Sequence, residues 1–229
     1  GNNVADNSSG TAKYDTARLN FGQTAFAYPV AGFKPLCTAH FDEPSYVVSE
    51  HYVNGSFTHV NGVDSIIDLP EGFTAAGCMI RIKRTTSSDG WRCYDTKRYN
   101  GNRHIRWDTS ADESVSDGNS GFGVDTFTMD QSHSAGDYFW EACKVGLDFD
   151  IVLDTGDGAT SKTIAHGLGS VPGFFARKDL DQDGYYWEAY HTSLGATKTL
   201  QPNDTTAPVT GSQYWNDTEP TSSQFTVGN

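Results

Sequence analysis

The sequence predicts an all-β protein built of tandem antiparallel β-sandwich modules, and three observations carry that expectation. No stretch keeps the i, i+3, i+4, i+7 apolar spacing of a helix for three turns. Short alternating or β-branched runs recur instead, at Ala25 to Tyr28, Cys78 to Lys83, Tyr138 to Lys144, Asp150 to Leu153, Phe174 to Lys178, Tyr186 to Tyr190 and Gln224 to Val227. Clusters of Gly, Asn, Asp, Ser and Thr separate these runs at intervals of about 8–12 residues, the spacing of sandwich and barrel strands.

Each run has its own reason to be a strand. Cys78-Met79-Ile80-Arg81-Ile82-Lys83 alternates apolar and polar residues over its second half, and so does Phe174 to Lys178 more weakly. Tyr138 to Lys144 is aromatic-rich, and Asp150 to Leu153 holds Ile151 and Val152 side by side. Only 36% of the 229 residues are hydrophobic, yet 13 Phe, 11 Tyr and 5 Trp supply large buried areas. That aromatic content argues for a folded chain rather than a disordered one.

Charge excludes one class of partner. With 29 acidic and 16 basic residues the net charge is −13, which repels a polyanion, so no nucleic acid is expected. No run of roughly 18 apolar residues occurs, so no membrane insertion is expected, and Gly1 to Gly10 lacks the apolar region of a signal peptide. Cys37, Cys78, Cys93 and Cys143 form no CxxC or Cys/His cluster and read as free thiols used as small core residues.

An internal repeat organises the chain. Trp91-Arg92-Cys93-Tyr94-Asp95-Thr96 and Trp187-Glu188-Ala189-Tyr190-His191-Thr192 both read W-x-x-Y-x-T, 96 residues apart. An Asp-Gly pair precedes each (Asp89-Gly90 and Asp183-Gly184), and a basic-tipped apolar strand precedes that, which is a hairpin signal. Downstream, His104 to Asp112 corresponds to Thr199 to Ala207, and the units close on Phe127-Thr128-Met129 and Phe225-Thr226-Val227. The resulting division is 1–44, 45–145 for the first repeat and 146–229 for the second. The first repeat continues into Tyr138 to Lys144; the second shows no counterpart of that final strand, which leaves a sheet edge for more chain or a neighbouring subunit to cover. Residues 1–44 hold too few apolar positions for a core of their own and read as the end of another domain.

The segment LNFGQTAFAYPVAGFKPLCTAHF, Leu19 to Phe41, resembles the closing strands of SPRY-type concanavalin-like sandwiches in tail proteins of marine phages, including cyanophages. Thr163 to Phe175, Tyr190 to Leu200 and Tyr214 to Gly228 are similar to a β-module found downstream of that domain in such tail fibres. The first repeat departs from it, with Leu69-Pro70-Glu71-Gly72 near the place of the HGLG turn and Tyr99 to Arg103 in place of LGATK. The resemblance implies a partial N-terminal SPRY-like segment followed by two modules. It also implies a non-enzymatic virion structural protein of a phage tail fibre or appendage, assembled in the host bacterial cytoplasm and acting in host attachment. Its implied partners are other copies of itself as a trimer or other homo-oligomer, other virion tail proteins, and a host envelope glycan or surface receptor. A structural connector or decoration protein and a polysaccharide-degrading tailspike are the rival readings.

Candidate ligand residues are the aromatics near turns, Trp107, Tyr185, Tyr186, Tyr214 and Trp215, whose ring faces can pack against sugar CH groups or against a protein partner. Trp91, Tyr94, Trp187 and Tyr190 recur in both repeats and read as shared core. Asp179, Asp181 and Asp183 lie in a D-x-D-x-D-G string that opens like an oxygen-rich Ca2+ loop. The twelfth position is Tyr190 rather than Glu, and the flanks are β, so an EF-hand is rejected; a polar hairpin tip, where Asp and Gly are favoured anyway, is the preferred explanation of the string. Apart from that Ca2+ candidate no cofactor is expected. Asp154 to Gly158 is a weaker candidate of the same kind. Pairs such as Asp112 and Glu113 read as solvated surface in a chain with 29 acids, and no catalytic residues are expected.

Overall fold

The computed structural model describes residues 48–114 and 118–228. The 1–44 segment, the strand expected at Ala25 to Tyr28, and Cys37 lie outside the described residues.

The described chain is all-β and antiparallel. A one-turn helix α1 (Val48–His51) leads into β1 (Tyr52–His59), β2 (Ser65–Asp68), the short helix α2 (Phe73–Ala76), β3 (Cys78–Arg84) and β4 (Arg92–Asp95). Then come β5 (Ile105–Arg106), β6 (Gly121–Phe122), β7 (Thr126–Met129) and β8 (Gly136–Lys144). These strands make a five-stranded sheet, β1-β8-β3-β4-β5, and a three-stranded sheet, β2-β7-β6.

Alternation decides what lies between the sheets. On β3 the side chains of Cys78, Ile80 and Ile82 are buried while Met79 and Arg81 between them are not, the period of a strand with one covered face. They meet Ile67, Phe127 and Met129 of the smaller sheet, together with Tyr94, Tyr138, Ala142 and Phe73. Each such fully buried ring or branched chain contributes on the order of 1.5–3 kcal/mol of transfer free energy. Gly55 of β1 pairs with Trp140 of β8, and a Cβ there would meet the indole at 2.9 Å, so only glycine lets the ring lie across the strand.

The α2 turn is capped from outside. The Asp125 carboxylate accepts the Gly72 N–H at 2.9 Å and the Thr74 N–H at 3.3 Å, satisfying the open donors at the helix start. The Gly72 bond foremost, with those of Thr74, holds the Asp125 carboxyl below the usual range.

The second half contains β9 (Ser161–Ala165), β10 (Phe174–Arg177), β11 (Glu188–His191), β12 (Lys198–Thr199), β13 (Val209–Thr210), a one-turn helix α3 (Ser212–Trp215) and β14 (Gln224–Gly228). The pairs are β9 with β14, β10 with β11 and β12 with β13, and an Ala189↔Leu200 bridge joins β11 to the end of β12. Tyr190, Trp215, Tyr214, Ala196 and Val227 form its buried core.

Ladder registers recur between the halves. Ile80↔Tyr94 and Arg81↔Cys93 in the first half have counterparts in Phe175↔Tyr190 and Ala176↔Ala189 in the second. Likewise Ile67↔Phe127 matches Ile164↔Phe225, and Cys93↔Ile105 matches Ala189↔Leu200. The paired Asp-Gly sequences do not make tight two-residue hairpins, because the loops they sit in run from Thr85 to Trp91 and from Lys178 to Trp187. Asp150 to Leu153, expected as a strand, joins no ladder among the described residues.

Candidate binding face

The loop between β10 and β11, Lys178 to Trp187, carries Asp179, Asp181, Asp183, Tyr185 and Tyr186 together. Its inner side is docked on the first half. The Leu180 carbonyl accepts the Glu113 N–H at 3.1 Å, and the Gly184 N–H donates to the Ser110 carbonyl at 3.1 Å. Gly184 has φ +86°, a left-handed conformation that glycine adopts without strain. Trp187 donates its indole N–H to the Arg106 carbonyl at 2.8 Å, and its ring centroid lies 4.2 Å from that of Trp107. Cys93, Ile105 and Trp187 are buried in this contact, with Trp107, Ala176 and Leu180 partly so. Cys93 and Ala176 project from the faces of their sheets opposite the main cores, and their small size lets the sheets approach closely.

Lys178 lies among the acids of the loop. Its ammonium donates to the Ser110 carbonyl at 3.0 Å and to the Tyr185 carbonyl at 2.6 Å. Burial lowers its pKa, and Asp179, Asp112 and Asp183 act in the opposite sense as counter-charges. One oxygen of Asp179 accepts the N–H groups of Asp181 at 2.9 Å and Gln182 at 3.1 Å, closing an Asx turn. Among the described residues no three His, Cys, Asp or Glu side chains are grouped to hold a metal, so Asp179, Asp181 and Asp183 do not converge on one point. Asp154 of the weaker candidate is ion-paired with Lys162 at 2.8 Å.

The five candidate aromatics separate. Tyr185 and Tyr186 are 54% and 43% exposed on the loop and present their rings to solvent. Trp107 is half-buried against Trp187. Tyr214 and Trp215 are core residues: Trp215 is fully buried, donates its indole N–H to the Lys198 carbonyl at 3.0 Å, and meets Phe175 edge-on at 4.9 Å. Glycine and asparagine around α3 mark a turn in the sequence, but the turn is helical and points these rings inward. Of the recurring aromatics, Tyr94, Tyr190 and Trp187 are buried, and Trp91 is half-buried beneath the Arg81 guanidinium.

Glu113 is not solvated surface. Its carboxylate meets Arg98 at 2.9 Å and Arg103 at 3.2 Å, and its side chain is only 7% exposed. Arg98 also holds Asp95 at 2.5 Å and the Cys93 carbonyl at 3.2 Å, giving one buried charge network beside the contact between the halves. Arg103 lies over the exposed Tyr99 ring at 3.6 Å. Nothing in the local sequence marks these partners, because Glu113 lies in a polar run and its guanidinium partners come from a separate loop.

Exposed phenol rings beside carboxylates on a braced loop can stack on and hydrogen-bond to a neutral polyol or a polypeptide. A separate open cleft of about 350 Å³, to which this loop contributes no residue, is lined by Lys97, Asp150, Leu153 and His166. The family model described as a domain of unknown function (DUF7483) matches residues 142–229, from within β8 to the end of the second half. Comparison with curated proteins and with solved structures found no significant match.

Proposed function

We propose that the chain is part of a phage tail fibre or related virion appendage and acts in adhesion to the host surface. The observation that carries this reading is the combination of tail-fibre-like segments, Thr163 to Phe175, Tyr190 to Leu200 and Tyr214 to Gly228, with two halves locked together through Trp187. A braced pair of β-modules works as a stiff spacer, and its loops remain free for recognition. Tyr185 and Tyr186 are the ligand contacts, and the ligand class is an envelope glycan or surface receptor. Several copies in one appendage would multiply weak contacts by avidity. The virion is the site of action, the other tail proteins and further copies of this chain are the partners, and assembly takes place in the host bacterial cytoplasm.

Purified protein should bind host cells and compete with phage adsorption, and a Tyr185→Ala, Tyr186→Ala double variant should lose that binding while keeping its thermal stability. Failure of the unmodified protein to bind or compete would refute the adhesive reading and favour a connector without host contact. Release of reducing sugar from host polysaccharide would instead identify a tailspike enzyme.

A further inference from the structure

Every described arginine but two has a carboxylate partner. Arg81, Arg84, Arg98, Arg103 and Arg177 each hold one within ion-pair distance. Arg92 and Arg106 have none among the described residues, and they stand opposite each other in the β4–β5 ladder.

The register brings these two side chains together. The Thr96 N–H donates to the Cys78 carbonyl, so the even-numbered residues of β4 turn their backbone groups to β3 and Cys93 turns its own to β5. Arg92↔Arg106 is therefore a non-hydrogen-bonded pair, the kind in which opposed Cα atoms lie about 4.5 Å apart and side chains are closest. Arg106 agrees, because its carbonyl points away from β4 and accepts the Trp187 indole N–H at 2.8 Å. By strand alternation both guanidiniums leave the sheet on the face of Tyr94 and His104, whose ring centroids lie 5.6 Å apart.

Like charges set opposite each other destabilise a ladder, and no described carboxylate is bound to either arginine. Both residues are half-buried, and the Arg92 Nε is shut off from solvent without a hydrogen-bond partner. Asp89 is held by Arg84 at 2.8 Å, and Asp108 turns its carboxylate onto Gly90. The residue on the other side of Arg92 is Ile82 of β3. Burial pushes the pKa of the Tyr138 phenol up, against the pull of Arg92 and Arg84, so that group is neutral. The second half is an internal control. At the equivalent ladder position stand Glu188 and Gln201, and Glu188 is ion-paired with Arg177 opposite it on β10. There the position is charge-balanced from within the chain. In the first half it keeps two cations, in a protein of net charge −13.

We propose that Arg92 and Arg106 hold one tetrahedral oxyanion, a phosphate or sulfate group, either as the free ion or as a monoester on a larger molecule. Two guanidinium forks arriving from opposed strands can each engage two oxygens of such a group, whereas a carboxylate has only two in all. The Arg92 Nε supplies one of the donors and gains the partner it lacks. The overall charge repels a polyanion, so the ligand brings a single such group. This inference is independent of host contact.

The probes are sodium sulfate, sodium phosphate, methyl phosphate and methyl sulfate, added to the full chain and compared with sodium chloride at matched ionic strength. Heteronuclear NMR should show a saturable downfield movement of the Arg92 Nε–H resonance. Urea unfolding should show a stabilisation that grows as 1 + [L]/Kd, about a 20-fold shift of the folding equilibrium when ligand exceeds Kd twentyfold. Methyl esters that bind as tightly as the free ions place the group on a larger ligand; their exclusion assigns the site to the free ion. Arg106→Gln should abolish both responses while the anion-free variant still unfolds in a cooperative transition, and Arg92→Gln should do the same. Arg106→Lys keeps the charge but loses the fork, and should weaken binding several-fold. An equal response to chloride, no saturable movement of the Arg92 resonance at millimolar anion, or a response that survives in Arg106→Gln would overturn the proposal.

Discussion

Replacing Trp187 by alanine tests the claim that the two halves are mechanically one piece. The residue is 6% exposed, donates one hydrogen bond across the contact and packs at a tilt against the Trp107 ring. Deleting a buried Trp side chain costs about 3–5 kcal/mol, the sum of lost transfer energy and the cavity left behind. For a unit of this size that corresponds to a fall in Tm of roughly 6–20 °C. Trp187→Phe separates the terms, since it keeps an aromatic ring but leaves the Arg106 carbonyl without its donor, at about 1 kcal/mol together with some loss of packing. Urea unfolding monitored by fluorescence and far-UV circular dichroism reads both variants. Because Trp187 lies between the halves, the alanine variant should also pull one cooperative transition apart into two. A loss below about 1 kcal/mol with a single transition would refute the coupling.

Three further outcomes are expected. The Ser132 hydroxyl, with the N–H groups of Asn119 and Ser132, holds the Asp130 carboxyl down at about 2; a depressed folded-state pKa stabilises above the unfolded value near 4, so stability falls between about pH 4 and 2, and Asp130→Asn should flatten that part of an acid-unfolding curve. Gly90→Ala would drive a Cβ into the Asp108 carboxylate and should cost about 1–3 kcal/mol, with Asp108→Ala restoring most of it in a double-mutant cycle measured by urea unfolding. Burial pushes the Cys78 and Cys93 thiols up to about 12, so in a Cys37→Ser background both should resist iodoacetamide at neutral pH until denaturant is added, as followed by mass spectrometry.

Strand positions were legible where alternation meets a single covered face. Cys78 to Lys83 falls within β3 for that reason, and Gln224 to Val227 falls within β14 on its polar-apolar sequence alternation alone. Asp150 to Leu153 has the same composition but forms no ladder, because composition reports what a strand needs and not whether a neighbour is there to pair with it. The candidate site was half legible. Tyr185 and Tyr186 are exposed next to a positive-φ glycine, a local signal. Tyr214 and Trp215 misled because their flanking Gly211 and Asn216 mark a turn equally well whether its rings point out or in. The acidic string was readable as a turn, while the role of its charge depends on Lys178 reaching Ser110, 68 residues away. Long-range partners of that kind leave no periodic trace.

The pairing of β1 with β8 bears on how the protein would carry load. Tyr52 stands opposite Cys143, so the chain enters and leaves the first half at one end of one ladder. Tension applied along the polypeptide would open that ladder like a zipper, one pair at a time, rather than shear all its hydrogen bonds together. The ladder is thus a weak link under pulling, and resistance must come from the sideways contact at Trp107 and Trp187. The same geometry brings entry and exit within about 6 Å of each other, so the first half can be added to or removed from a longer chain with little change in the path of what flanks it.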